Sequence, residues 1–460
     1  MEGTMLDTEF LSRLQFAFTI SAHILFPAFS IGLATFLVIM EGIWLKTKNP
    51  LYLSICKFWL KVFALTFGMG VVSGLVMEFQ LGTNWAGFTN TIGDVLGSLF
   101  TYEVLTAFFI EAGFLGVMIF GWDKVGPKLH YFSTILVFVG VTLSAFWILS
   151  ANSWMQTPSG FTIVQGKFIV SSWSQVIFNP SVFPRYFHML LAAYVTTAFA
   201  VAGISAWYLL RNEYAEFARK CFSFALWAAL ILIILQLYMG DTVGLEVHQH
   251  QPLKTAAMEG VWQTQQGAPL LLFAIPDMAA QKNLFTIGVI PHMAAVLNTH
   301  QWNGTLLGLS SVAPNYQPYV PFVFLSFRLM VGLGVVMFVI ALLGACLRFQ
   351  NRLYFTKWFQ KLCVLASPIG FVALWAGWIT AETGRQPWIV YNYLRTDQAF
   401  SPVSPAHVLF TFVLLVIVYG IIFGIFYFRY LWRILQQGPE LSTPAEEQVF
   451  SYLNPIKKPE

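Results

Sequence analysis

Charge is what this 460-residue sequence has least of. Only 10% of its residues are Asp, Glu, Lys or Arg, against 57% hydrophobic and 17% aromatic. An ordinary soluble domain carries about a quarter charged residues, so that class is excluded. The net charge of +4 says nothing about nucleic acid, because it reflects the placement of basic residues in particular loops. Cysteine is scarce as well. Cys56, Cys221, Cys346 and Cys363 form no CxxC and no CxxCH, which predicts free thiols and no covalently tethered cofactor. Internal repeats and low-complexity tracts are missing too.

What the sequence has instead is long apolar runs. Nine stretches, near 15–40, 59–77, 96–120, 130–150, 185–209, 221–240, 321–347, 362–381 and 405–428, reach the roughly 20 residues that span a bilayer as a helix. The first follows a polar N-terminus with no cleavage-like site, so it reads as a retained helix rather than a signal peptide. Lys46, Lys48, Lys57 and Lys61, then Lys124 and Lys128, then Arg211, Arg219 and Lys220, then Arg348, Arg352, Lys357 and Lys361, and finally Arg429, Arg433, Lys457 and Lys458 hold most of the 25 basic residues, in alternate loops. Basic loops stay cytoplasmic, so the N-terminus is expected outside and the C-terminus inside. The expected fold is an all-α integral membrane protein of nine transmembrane helices, one domain over 1–460. Two outer segments are long, 151–184 and 241–320. The second carries "DTVGLEVHQHQPLKTAAMEGVW". Ordered loops of that length are often functional, though a plain extracellular cap fits equally well.

Ionisable groups inside membrane runs are costly and usually mark a site or a proton route. His23, in "QFAFTISAHILFPAFSIG", precedes Pro27, whose missing N–H leaves the residue-23 carbonyl without its helical partner. A bend at the histidine follows. A lone membrane histidine more often bonds a neighbouring helix than a metal, but the kink favours a cofactor pocket. Glu103 and Glu111, in "GSLFTYEVLTAFFIEAGFLGVMIFG", would stand about 12 Å apart along one helix. That spacing suits proton relay, and two neutral, hydrogen-bonded acids would suit it equally.

"PRYFHMLLAAYVTT" puts His188 about one turn inside the outer surface, and "VPFVFLSFRLMVGLG" puts Arg328 and Met330 at similar depth. A histidine and a methionine at one level can be the axial pair of a six-coordinate, low-spin haem, with an arginine offsetting propionate charge. Alone, Met330 reads as core packing, and residues two apart on a helix point to opposite faces, so Arg328 would have to bend round. "WITAETGRQPW" ends the eighth run with Glu382 and Arg385, which alone read as charges snorkelling to water. The shared level of His188, Met330, Arg328, Trp378, Glu382 and Arg385, and less steeply of Glu103 and His23, predicts a cofactor cluster in the outer half of the membrane. Glu111 is then the deep member of any proton path from the cytoplasm.

Taken in order, "SRLQFAFTISAHILF", "MEFQLGTNW", "YEVLTAFFIEAGFLG", "SAFWILSANSWMQTPSG", the helix around His188, "GISAWYLL", "KTAAMEG", "FRLM" and "GRQPW" resemble subunit I of the cytochrome bd-type quinol oxidases over nearly the whole chain. The resemblance implies a three-haem terminal oxidase of the bacterial cytoplasmic membrane. It would oxidise quinol at the outer face and reduce O2 to water with protons from inside, generating proton motive force without pumping. His188 and Met330 would ligate the low-spin haem b, flanked by Arg328. His23 and Glu382 would ligate the two high-spin haems, one of them haem b and the other haem d or a further haem b, with Glu103 close by. Glu103 and Glu111 would serve proton uptake, Trp378 electron transfer and Arg385 propionate binding. Lys254 and Glu259 would belong to a quinol site in the 241–320 loop. The implied partners are a homologous second membrane subunit and, in some members, a small single-helix accessory subunit; nucleic acid is not among them. The loop lacks the insertion of long-loop members and resembles the short-loop form, which includes a cyanide-insensitive branch. Quinol type and the third haem stay open.

Two other readings compete. A diheme cytochrome b quinol dehydrogenase that passes electrons to another complex would explain His188, Met330, Lys254 and Glu259, but not Glu382 or the acid pair. A haem-free, proton-coupled transporter would explain Glu103 and Glu111 only.

Overall fold

A computed structural model describes residues 7–440; Lys457 and Lys458 of the basic tail lie outside the described residues. Among these, nine helices are long and apolar enough to cross a membrane: α1 Thr8–Thr47, α2 Pro50–Thr83, α3 Ala86–Phe120, α4 Pro127–Gln156, α5 Val182–Arg211, α6 Ala215–His250, α7 Val320–Phe349, α8 Lys357–Thr383 and α9 Pro405–Gln437. Their ends follow local chemistry. Proline occupies the first helical turn of α2, α4 and α9, where its missing N–H costs nothing. Asp7, Asn49 and Ser404 cap α1, α2 and α9 by accepting backbone N–H groups. α1 breaks at Ile24, between His23 and Leu25, as Pro27 requires.

α1 to α4 form one four-helix group, with α1 and α3 each packed on α2 and α4. α5 to α8 form a second, with α5 and α7 each packed on α6 and α8. α1 joins the two through α5, and α9 rides on α1 and α2. Between helices in lipid, close packing replaces the hydrophobic drive, and small residues make the closest approaches. A Cβ on Gly32 would overlap Thr197 of α5, and one on Gly370 would overlap Thr196. A buried polar knot pins α1, α3 and α4. Glu41 Oε1 lies 2.7 Å from His130 Nδ1, Thr134 Oγ1 donates to Oε2 at 2.6 Å, and His130 Nε2 donates to the Met118 carbonyl at 3.0 Å.

The basic loops gather at one end. Tyr208 and Tyr214 donate to the carbonyls of Leu435 and Gln437, and Lys61 bonds Glu440 at 2.6 Å. At the other end the long loops are shorter than expected, because α4 continues to Gln156 and α6 to His250. The second loop therefore begins at Gln251 rather than at 241. It is ordered, with the short loop helix Pro252–Glu259, a seven-residue helix and a hairpin. All-α holds for the membrane part, while the described residues add four two-stranded sheets, including β1 Phe161–Val164 with β2 Lys167–Val170 and β3 Leu270–Asp277 with β4 Lys282–Ile290. The four cysteines are free, as expected. Gly32→Val is expected to part α1 from α5 and destabilise the protein by about 1–3 kcal/mol, read as a lower thermal-aggregation midpoint in detergent. An unchanged midpoint would show that this contact carries little.

Candidate functional site: a buried charge corner and two ligand levels

The end of α8 is where the charge is concentrated. α8 stops at Thr383 and the chain turns through Gly384 and Pro387, which holds Arg385 inside, 5% exposed. Arg385 bonds Glu382 through Nη2. Its Nε and Nη1 are buried without a protein partner. Glu382 Oε1 also accepts from Asn152 Nδ2 at 3.0 Å and Gln156 Nε2 at 3.2 Å, one turn apart on α4. Arg185 of α5 approaches the same oxygen at 4.0 Å, held by Asn152 and by Ser153 Oγ at 3.1 Å. The carboxyl group is thus fixed in direction, and the corner holds more positive than negative charge. Free guanidinium donors in such a place suit an anionic group, since charge-assisted bonds to Arg are the strong ones.

Lys254 joins this corner from the loop helix. It is 2% exposed, and its Nζ donates to Gln156 Oε1 at 2.6 Å. Burial, with Arg185 and Arg385 adding to it against Glu382 and Glu246, holds its ammonium well below the usual lysine range. Glu259, five residues on, faces the other way. Its carboxylate takes Arg328 Nη2 at 2.7 Å and Asn298 Nδ2 at 3.1 Å, while Arg328 Nε donates to the Leu271 carbonyl at 2.6 Å. Lys254 and Glu259 are therefore not one constellation, because five helical steps turn a side chain by about 140°. Nor does Arg328 bend round to the Met330 side; two steps along α7 aim it at the loop.

Met330 and His188 lie on α7 and α5, the diagonal pair of the second group. A Cβ on Gly377 of α8 would come within 2.9 Å of the Met330 sulfur, and one on Gly240 of α6 within 3.6 Å of His188 Cε1. Glycine on each flanking helix leaves the two side chains their inward positions. The His188 ring nitrogens lie 3.2 and 3.3 Å from Gln236 Nε2. His23 is similarly prepared in the first group. Ser73 Oγ donates to the Met69 carbonyl at 2.7 Å and so accepts from His23 Nδ1 at 2.8 Å. The Nε2 lone pair is left free, as a metal ligand requires.

Glu103 and Glu111 are not separated by a plain α-helix. A π-helical turn at Val104–Phe108 intervenes, a feature often found at functional sites. Both acids turn to α4: Ser144 Oγ donates to Glu103 at 2.7 Å, and Glu111 lies against Gly140 with one buried oxygen unpaired. Their neighbours on α4, Ser144 and Gly140, are one helical turn apart. Trp378 packs in the main core beside α5.

The profile of the family described as cytochrome bd terminal oxidase subunit I matches residues 11–439. The chain belongs to that family. The Bacillus subtilis (strain 168) cytochrome bd ubiquinol oxidase subunit 1 is 37% identical over 448 residues, 94% of this chain and 94% of that one. The Escherichia coli (strain K12) cytochrome bd-II ubiquinol oxidase subunit 1 is 33% identical over 483 residues, 90% and 94% of the two chains. The solved bd oxidase from Geobacillus thermodenitrificans superposes with a TM-score of 0.87 at 29% identity, covering 94% of this chain and 99% of that one. This bd-family subunit is therefore a haem-bearing oxidoreductase of respiratory electron transport, a multi-pass protein of the bacterial inner membrane.

Sequence reasoning missed Arg185, Asn152 and Gln156. The signals were present: Arg185 lies one turn before His188, and Asn152 and Gln156 are four apart near the end of a membrane run, where amides on one helical face need a partner. Arg185→Met leaves Glu382 short of a counter-charge. Breaking a buried ion pair from one side costs about 3–5 kcal/mol, discounted here because the Glu382 side chain is 32% exposed. The thermal midpoint of the purified complex should fall, and Arg185→Lys should recover part of the loss. Equal midpoints for Met and wild type would remove Arg185 from the corner.

Proposed function

We propose that this terminal oxidase subunit, a quinol:oxygen oxidoreductase chain, receives quinol at the Glu259–Arg328 pair and directs protons for O2 reduction toward Glu103 from the basic-loop side. The observation that carries the reading is the placement of two residues two apart on α7. Arg328 binds the loop carboxylate at 2.7 Å, and Met330 turns to the interior beside Gly377. The loop and the interior ligand level are thus joined within one helical turn. N-terminus outside and C-terminus inside, as the basic loops indicate, would put the Glu259 end on the outer face.

The residues suit haem. His188 and Met330 would hold the low-spin haem b; His23, with its free Nε2, and Glu382 would serve at the two high-spin haems, one b and the other d or b; the orphan donors of Arg385 would take a propionate. Bound there, haem would supply one-electron transfer at the His188–Met330 level and O2 binding and reduction at the other two. The protein's own tasks are proton handling and positioning. Glu259, paired with Arg328, would accept a quinol hydroxyl proton, with Arg328 held between it and the Leu271 carbonyl. Two quinols yield four electrons and four outward protons, while one O2 takes four inward protons to give two waters. Glu111 and Glu103, both turned toward α4, with Ser144 bonded to Glu103, would pass these along. Trp378 would lie on the electron route between ligand levels. Lys254 would take part from the corner side, where its Nζ donates to Gln156 Oε1. A homologous second membrane subunit would complete the complex, with a small single-helix subunit where the family uses one.

His188→Ala and Met330→Leu are each expected to abolish or convert the low-spin b signal while a CO-binding component persists; intact low-spin spectra in both would overturn the axial pair. Glu259→Gln is expected to lower quinol turnover at least tenfold with CO binding unchanged. Parallel loss of both would make the loop structural.

A further inference from the structure

The β3–β4 hairpin is built against the rules for a water-facing sheet. Strands with one wet face alternate polar and apolar residues, and a lone two-stranded hairpin is marginal in water. Here Leu272, Phe273, Ile275, Leu284, Phe285 and Ile287 are all between 41% and 58% exposed. The strands pair antiparallel from Leu270–Ile290 to Asp277–Lys282. Those last two residues, at the turn, carry the only charges between 270 and 290. Leu271 and Ala274 are covered by Phe324 of α7, and Pro276 is buried near the turn.

The hairpin's level is set by α7. Arg328 Nε bonds the Leu271 carbonyl at 2.6 Å, and Arg328 lies eight residues into α7, hence about 12 Å below its first turn. At that level the outward face of α7 is Phe322, Leu325 and Leu329, exposed and apolar. The hairpin surface continues it. Trp302 and Tyr319, 63% and 49% exposed, flank the same end, as aromatic side chains do where a membrane meets water.

We infer that the β3–β4 hairpin is seated in the outer leaflet, its exposed side chains covered by lipid acyl chains and its Asp277–Lys282 turn at the headgroups. The chemistry of the occupant follows from the surface: a large apolar area, no hydrogen-bonding side chain except Thr286, and continuity with a lipid-facing helix. The seat would also let a lipid-soluble substrate reach Glu259 and Arg328 without crossing water, a consequence that rests on the quinol reading while the seat itself does not.

The test is spin labelling of the intact complex in lipid nanodiscs. In a Cys346→Ser background, labels at Leu284→Cys, Phe285→Cys and Ile287→Cys are compared with Gln165→Cys at the β1–β2 turn, with the visible haem spectrum as the check on folding. Collision with O2 should exceed collision with a water-soluble nickel chelate at least threefold at the hairpin, with the reverse at Gln165. Nickel access equal to that at Gln165 would overturn the proposal, and so would exclusion of both reagents, which would mean a protein cover. If the labelled variants lose their haems, hydroxyl-radical footprinting of the unsubstituted complex decides. Oxidation of Phe285 matching that of Trp302 overturns the seat, and its protection supports it. Loss of quinol turnover with lipid contact intact would count against the quinol reading alone.

Discussion

A charge inside a membrane protein must find its partner within the protein, and that constraint shapes the end of α8. Glu382 alone would cost several kcal/mol to bury. It is held by donors from three elements: Asn152 and Gln156 of α4, Arg185 of α5 and Arg385 just past α8. Each donor fixes the helix that carries it. Lys254 adds a fifth attachment through Gln156. The two helix groups are therefore locked at this corner by electrostatics, whereas elsewhere they meet mainly through apolar packing, as at Phe29–Phe371, Phe36–Phe224 and Gly32–Thr197. A hydrocarbon core cannot distinguish one apolar helix face from another; a fixed carboxylate among oriented donors can.

The same constraint separates the two ends of the molecule. At the basic end, Glu41 and His130 are both buried and bonded to each other, with the Met118 carbonyl and Thr134 completing the network. That knot is fully satisfied and reads as structural. The α8 corner is not, because Arg385 keeps two donors unpaired. A complete network holds helices together, while an incomplete one asks for a ligand. Glu111, with one buried unpaired oxygen, belongs with the incomplete kind.

Much of this was legible from the residues. The nine spans, the break after His23 and the free thiols follow from periodicity, from one proline and from the absence of paired cysteine motifs, all of them local properties. The ends of α4 and α6 were not legible, since "NSWMQ" and "DTVGLEVHQH" are too polar for a lipid-facing helix and only the surrounding protein keeps them helical. The π turn after Glu103 was hidden for a similar reason: extra winding is set by packing against α4, not by propensity. Lys254 and Glu259 were paired by the family resemblance, and helical geometry sets their side chains on different faces of the loop helix. Arg328 shows the converse. Its opposition to Met330 could be read from a spacing of two, and its partner could not, because Glu259 is 69 residues away.

The loop helix Pro252–Glu259 draws these strands together. It has two turns, a proline at its start and a left-handed Gly260 at its end, so it has little freedom to tilt or unwind. One face anchors Lys254 to the corner that holds Glu382, and the other anchors Glu259 to Arg328 on α7. Any movement of Arg328 that frees Glu259 must therefore strain, or be transmitted through, a rigid rod whose far side touches the buried charge network. Short stiff elements pass displacement on instead of absorbing it. The loop and the corner thus share one short helix, nearly fully buried, with Lys254 and Glu259 each 2% exposed.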